Sequence, residues 1–120
     1  IPIKDISKFI NNAEKISKKV IPGSRSVIFG HIGDGNIHFN ISQPVKSDRD
    51  KFIKNDKKLR KKINDLTIEL NGSISAEHGI GLTKKADLKK YMKKDVELFK
   101  LIKKSFDPKN IMNPGKIIDI

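Results

Sequence analysis

The sequence predicts an α+β fold, a ferredoxin-like antiparallel sheet with packed helices, and three observations carry that prediction. Apolar residues recur at helical spacing in several separate stretches. An Asp34-Gly35 turn signal sits between two runs of alternating polarity, the pattern of a β-hairpin. A short, glycine-bounded run of small residues follows the longest helical stretch and reads as a further strand. The order helix, hairpin, helix, strand, helices matches a ferredoxin-like layer whose first strand is missing and which carries extra C-terminal helices.

Residues 4–19 set Ile6, Phe9, Ile10, Ala13 and Ile16 on one helical face, with lysines on the others. Pro22-Gly23 ends that helix. Residues 24–31 then form the outgoing strand of the hairpin, and the return strand reaches about Ser42. A two-residue turn at Asp34-Gly35 would oppose Gly33 to Asn36, Ile32 to Ile37, His31 to His38 and Phe29 to Asn40. Opposed Cβ atoms lie about 4.5–5.5 Å apart, so both imidazoles could reach one metal ion. Alternation assigns Ile28, Ile32, Ile37, Phe39 and Ile41 to the core face, and Val27, Phe29, His31, His38 and Asn40 to the other.

Ser47-Asp48-Arg49-Asp50 has the form of a capping box with Asp in place of Glu or Gln. It opens a long helix with an apolar stripe of Phe52, Leu59, Ile63, Leu66 and Leu70, and Asn71-Gly72 supplies a left-handed stop. Residues 73–81 read as a strand running into an irregular loop. Two lysine-rich helices are expected at 84–92 and 95–106, the second turning Val96, Phe99, Ile102 and Phe106 inward. Asp107-Pro108 stops it, and Asn113-Pro114-Gly115 is a turn in the tail.

At 120 residues the chain is expected to form a single domain, 1–120. It begins with Ile1, as a processed chain or a cloned fragment would. Its net charge of +12 invites a nucleic-acid-binding reading, but of 26 basic residues only Arg25, Arg49 and Arg60 are arginine. Lysines spread over solvated helix faces account for the charge, so nucleic acid is not an expected partner. No stretch approaches the roughly 18 apolar residues of a membrane span, and there is no signal-peptide pattern. The expectation is a soluble, cytoplasmic chain, at most peripheral to the inner membrane. With no cysteine, any zinc must be held by His and carboxylate.

The three histidines are His31, His38 and His78, and Glu77 directly precedes the last. Two His and one Glu with a fourth position open is a catalytic zinc arrangement, and His78, left unligated, would be a general base. Neighbours on a regular strand face opposite ways, so Glu77 and His78 serve one site only if the backbone bends, which Gly79 and Gly81 permit. Taken singly, each residue also suits a plain role: a hydrogen-bonded surface histidine, or a glutamate capping a turn. Asp34 and Asn36 read as turn residues. Asn40 shares the histidine face, where it can meet substrate or pair with backbone.

Gly30-His31-Ile32-Gly33-Asp34-Gly35-Asn36-Ile37-His38, then Ser75-Ala76-Glu77-His78-Gly79-Ile80-Gly81, then 106–116 ending Asn113-Pro114-Gly115-Lys116, closely resemble the C-terminal domain of FAD-linked oxidases. That group contains glycolate oxidase, D-lactate dehydrogenase and D-2-hydroxyglutarate dehydrogenase. The resemblance implies a substrate or cap domain over FAD, oxidising a D-2-hydroxy acid to the 2-oxo acid. It implies that His31, His38 and Glu77 hold zinc or another divalent metal, that His78 is the base, that Asn40 lies near substrate, and that Asn113 belongs to a tail packing toward the flavin. The FAD-binding domain, in cis or as a separate chain, would be the partner, and the chain alone would be inactive. A non-catalytic interaction subunit, or a gene remnant docking on a flavoprotein, is the competing expectation. A bare sheet edge would also allow a homodimer.

Overall fold

Phe9 and Ala13 stand one helical turn apart on α1 (Ile6–Val20) and, with Leu66 of the second long helix and Leu70 just past its end, form the buried centre of the chain's first unit. The computed structural model describes residues 1–120, in two units, Ile1–Ala76 and Glu77–Ile120. The elements are α1, β1 (Arg25–His31), β2 (Asn36–Ser42), α2 (Arg49–Glu69), α3 (Lys85–Tyr91) and α4 (Lys93–Phe106). A two-stranded antiparallel sheet with four α-helices is an α+β fold.

In the first unit, Ile37 and Phe39 of β2 pack on the helical core, and Phe39 meets Phe9 edge to face at 6.4 Å. The alternate side chains of the strand, His38 and Asn40, therefore point away from the helices. That division of faces agrees with the expected alternation. The register does not. The ladder pairs His31 with Asn36, Phe29 with His38 and Val27 with Asn40, two residues away from the pairing expected of a two-residue turn.

The cause lies in the connection. A two-residue type I′ turn needs positive φ at both central residues, and Asp34 does not adopt it. Instead Ile32–Asp34 form a single 3-10 turn, the Gly35 N–H donates to the Ile32 carbonyl at 3.1 Å, and Gly35 alone takes the left-handed conformation, φ 68°. The loop thus has four residues. Because the slip is an even number, the side chains that stay in the strands keep their faces; Ile32, expected on the core face, is drawn into the turn instead and is 69% exposed. Two glycines hold this geometry: a Cβ on Gly30 would lie 2.1 Å from the Asn36 carbonyl oxygen, and one on Gly35 would lie 2.0 Å from that of Ile1.

Helix α2 is capped by Asp48, one residue later than the expected box on Ser47: Asp48 Oδ1 accepts the Lys51 N–H at 2.7 Å, while the Ser47 hydroxyl donates to the Pro44 carbonyl. At its far end Asn71 is left-handed, φ 55°, with Asn71 N–H to Ile68 O and Gly72 N–H to Thr67 O, the two bonds of a Schellman stop. The strand expected to follow is absent. Ser73 Oγ both donates to the Ser75 carbonyl and accepts the Ser75 N–H, a local loop that occupies the backbone groups a ladder would need.

In the second unit Leu88 of α3 is buried, but α4 buries none of its residues. The inward set expected there is corrected accordingly: Ile102 is 48% and Phe106 84% exposed. Amphipathic spacing identifies an apolar face without supplying anything to cover it. What covers part of it is the tail, pinned by Asp107, whose carboxylate accepts the Ile111 and Met112 N–H groups at 3.0 and 2.9 Å and pairs with Lys103. Lys85 fixes the tail's end, donating to the Gly115 carbonyl at 2.8 Å and to Asp119. Between α4 and the tail remains a cavity of about 410 Å³, lined by Phe99, Ile102, Phe106, Met112, Asn113 and Ile117 among others.

Candidate functional site

Every sequence-predicted site residue lies on the hairpin, in the loop after residue 76, or in the tail. His31 closes β1, and its Nδ1 is 3.2 Å from Asn36 Nδ2, the residue opposite it in the ladder. His38, half-buried in the middle of β2, stacks on Phe29 with centroids 4.8 Å apart and planes within 6°. The two imidazoles share a face but are diagonal neighbours rather than direct opposites, each matched with a different partner. Asn40 lies on the same face opposite Val27 and is exposed.

Glu77 and His78 come together within the second unit, Oε1 to Nε2 at 3.4 Å, on a loop that bends through left-handed Gly79 and Gly81. The expected bend is therefore present. At 3.4 Å the two atoms form an ion pair when the ring is protonated. Asn113 sits in the left-handed region, φ 46°, at the tail turn and lines the α4 cavity. The histidines of the hairpin thus belong to the first unit, and Glu77, His78 and Asn113 to the second.

Two residues gain a part that their sequence setting concealed. Asn36, read as a turn residue, is 8% exposed and holds a histidine. Asp107, read as a helix stop, is the tail's anchor. The Lys103 ammonium against it, followed by the Met112 and Ile111 amides, holds its carboxyl below the ordinary 3.8 despite the opposing effect of burial. Asp-Pro after a lysine-rich helix was the only signal, since a carboxylate at a C-terminus would otherwise oppose the helix dipole.

Residues 1–117 match the family model for FAD linked oxidases, C-terminal domain. The chain belongs to that family. Among its relatives, D-2-hydroxyglutarate dehydrogenase of Stutzerimonas stutzeri is 40% identical over 119 residues, and D-lactate dehydrogenase of Archaeoglobus fulgidus 34% identical over 118; each alignment covers 98% of this chain and 25% of the relative. Glycolate oxidase subunit GlcD of Bacillus subtilis is 38% identical over 90 residues, 74% of this chain and 19% of the relative. The FAD-linked oxidase domain described here therefore spans about a quarter of the length of the curated relatives it matches. No helix in it is long and apolar enough to cross a membrane.

Proposed function

We propose that this chain is the metal-holding, substrate-facing part of a flavin-dependent oxidoreductase that converts a D-2-hydroxy acid to the 2-oxo acid. The observation that carries this reading is the family match over residues 1–117 in a chain whose histidines all fall in the hairpin and the Glu77-His78 loop. The names of the relatives support the substrate class: D-2-hydroxyglutarate, D-lactate and glycolate are all 2-hydroxy acids.

His31, His38 and Glu77 would hold zinc or another divalent ion. Donor chemistry supports the fit, because imidazole nitrogens and a carboxylate are zinc's usual ligands where cysteine is lacking. When bound, FAD supplies a hydride acceptor and the metal a Lewis acid. This chain's part is to bind the hydroxy acid, with Asn40 facing it, and to take the hydroxyl proton on His78, whose ring lies on an exposed, bent loop. His78 is the catalytic residue in this reading, and Asn113 lies in a tail turned to the flavin.

The FAD-binding portion, in cis or as a separate cytoplasmic chain, is the partner. The exposed apolar face of the second unit supports it: Ile102 is 48%, Phe106 84% and Met112 61% exposed, and all three line the cavity between α4 and the tail, more than scattered surface residues require. The same face also favours the second reading, a non-catalytic subunit docking on a flavoprotein.

The deciding experiment loads FAD into the protein with its FAD-binding portion present and adds D-lactate or D-2-hydroxyglutarate without oxygen. Bleaching of the flavin band in the parent, lost in His78→Ala, is expected. A loaded flavin that no 2-hydroxy acid reduces overturns the enzymatic reading and leaves the docking one.

A further inference from the structure

Asn36 follows Gly35, whose left-handed turn sets residue 36 opposite residue 31 at the mouth of the hairpin. It is nearly buried, at 8% exposed, and its Nδ2 lies 3.2 Å from His31 Nδ1. With Nδ2 toward the ring the amide donates and Nδ1 accepts. A neutral imidazole that accepts at Nδ1 carries its proton on Nε2. In that state Nε2 has no lone pair for a metal.

An amide has two faces. Rotated by half a turn about its Cβ–Cγ bond, Asn36 presents Oδ1 where Nδ2 was, accepts Nδ1–H, and leaves the lone pair on Nε2. One residue thus satisfies either ring tautomer with no movement of the backbone. Asp could serve only the Nδ1–H form, and Leu neither.

We propose that Asn36 is the positioning residue for His31: it holds the ring in plane and turns its amide with the tautomer, donating from Nδ2 to Nδ1 in the metal-free protein and accepting Nδ1–H on Oδ1 when Nε2 is a ligand. The inference rests on the proposed role of His31 as a metal ligand. Ligating histidines commonly give their other N–H to an outer partner, and loss of that partner weakens metal binding by about 10–100-fold.

Nitrogen-resolved NMR of the His31 ring, at a pH where the ring is neutral, tests this before and after zinc is added. The metal-free parent is expected as Nε2–H and the zinc-loaded parent as Nδ1–H. Asn36→Leu should bind zinc about 10-fold or more weakly, with β1 and β2 amide signals matching the parent. Asn36→Asp should hold Nδ1–H in both states and keep zinc, which separates positioning from packing; if Asn36→Leu does not fold, this variant decides alone. A metal-free parent already Nδ1–H, or an Asn36→Asp protein that stays Nε2–H, overturns the proposal. Tautomers as expected with no zinc bound by any protein support the hold on His31 and overturn only the metal reading.

Discussion

Phe29 and His38 face each other across the hairpin as a parallel stack, centroids 4.8 Å apart and planes within 6°. Phe29 is 54% exposed, so the stack, rather than the core, is its main contact on that face. Phe29→Ala should cost about 0.5–1 kcal/mol, the range of a cross-strand aromatic pair. Urea unfolding of parent and variant checks it. The His38 ring-proton shifts should also move as the Phe29 ring is lost from the stack, and Phe29→Tyr should restore both.

Gly35 combines a left-handed φ of 68° with a backbone oxygen 2.0 Å from where a Cβ would stand. Gly35→Ala is expected to destabilise the first unit by about 1–3 kcal/mol. Gly30→Ala should act likewise, since its Cβ would meet the Asn36 carbonyl rather than a yielding side chain. Thermal melts of the two variants, with hairpin amide exchange as the local readout, measure this.

The Asp107 carboxyl is held below 3.8 chiefly by Lys103. A depressed folded pKa means that the charged form contributes stability above the unfolded value, and that this contribution fades as pH falls through the folded one. The tail should therefore be secure at neutral pH and loosen in acid below about 3.8. The Ile111 and Met112 amide signals should shift with that titration. Asp107→Asn should abolish the acid shift of the Ile111 and Met112 amides and leave that part of the tail loose at neutral pH, while the Lys85–Asp119 pair at the tail's end still titrates.

Phe106 and Ile111, 84% and 75% exposed, have little packing to lose. Phe106→Glu or Ile111→Glu should change folding stability by no more than about 0.5 kcal/mol while abolishing co-elution with the FAD-binding portion. A variant that co-elutes like the parent would remove this face from the interface.

Elemental analysis of the parent should find zinc; His31→Ala, His38→Ala and Glu77→Gln should each lose most of it, whereas His78→Ala should keep it. Turnover in His78→Ala should fall by about 10²–10⁴-fold, the usual worth of a general base. Loss of zinc in His78→Ala would recast that residue as a ligand.

The helices α1 and α2, their core stripes and the two hairpin faces were legible because spacing alone dictates them. The register was not. Asp34-Gly35 advertises a two-residue turn, and only the conformation actually taken by Asp34, with the close approach at Gly30, shows that the loop is longer by two. Residues 73–75 have strand-like composition, but the choice of Ser73 Oγ over a neighbouring strand is a tertiary outcome. The site residues were visible as chemical types: His31, His38, Glu77 and His78 stand out in a chain with three histidines. Their immediate partners were not visible, because Asn36 meets His31 only through the four-residue loop and Phe29 meets His38 only through the shifted ladder.

Between Gly30 and Gly35, the two positions at the tip where backbone leaves no room, stands Gly33, where an added Cβ would meet nothing within 4 Å. The hairpin end therefore has one permissive position framed by two closed ones. A cysteine placed there could carry a fluorophore on the loop that directly follows His31, its Cβ clear of both strands, giving the protein an optical reporter for what binds at the hairpin tip.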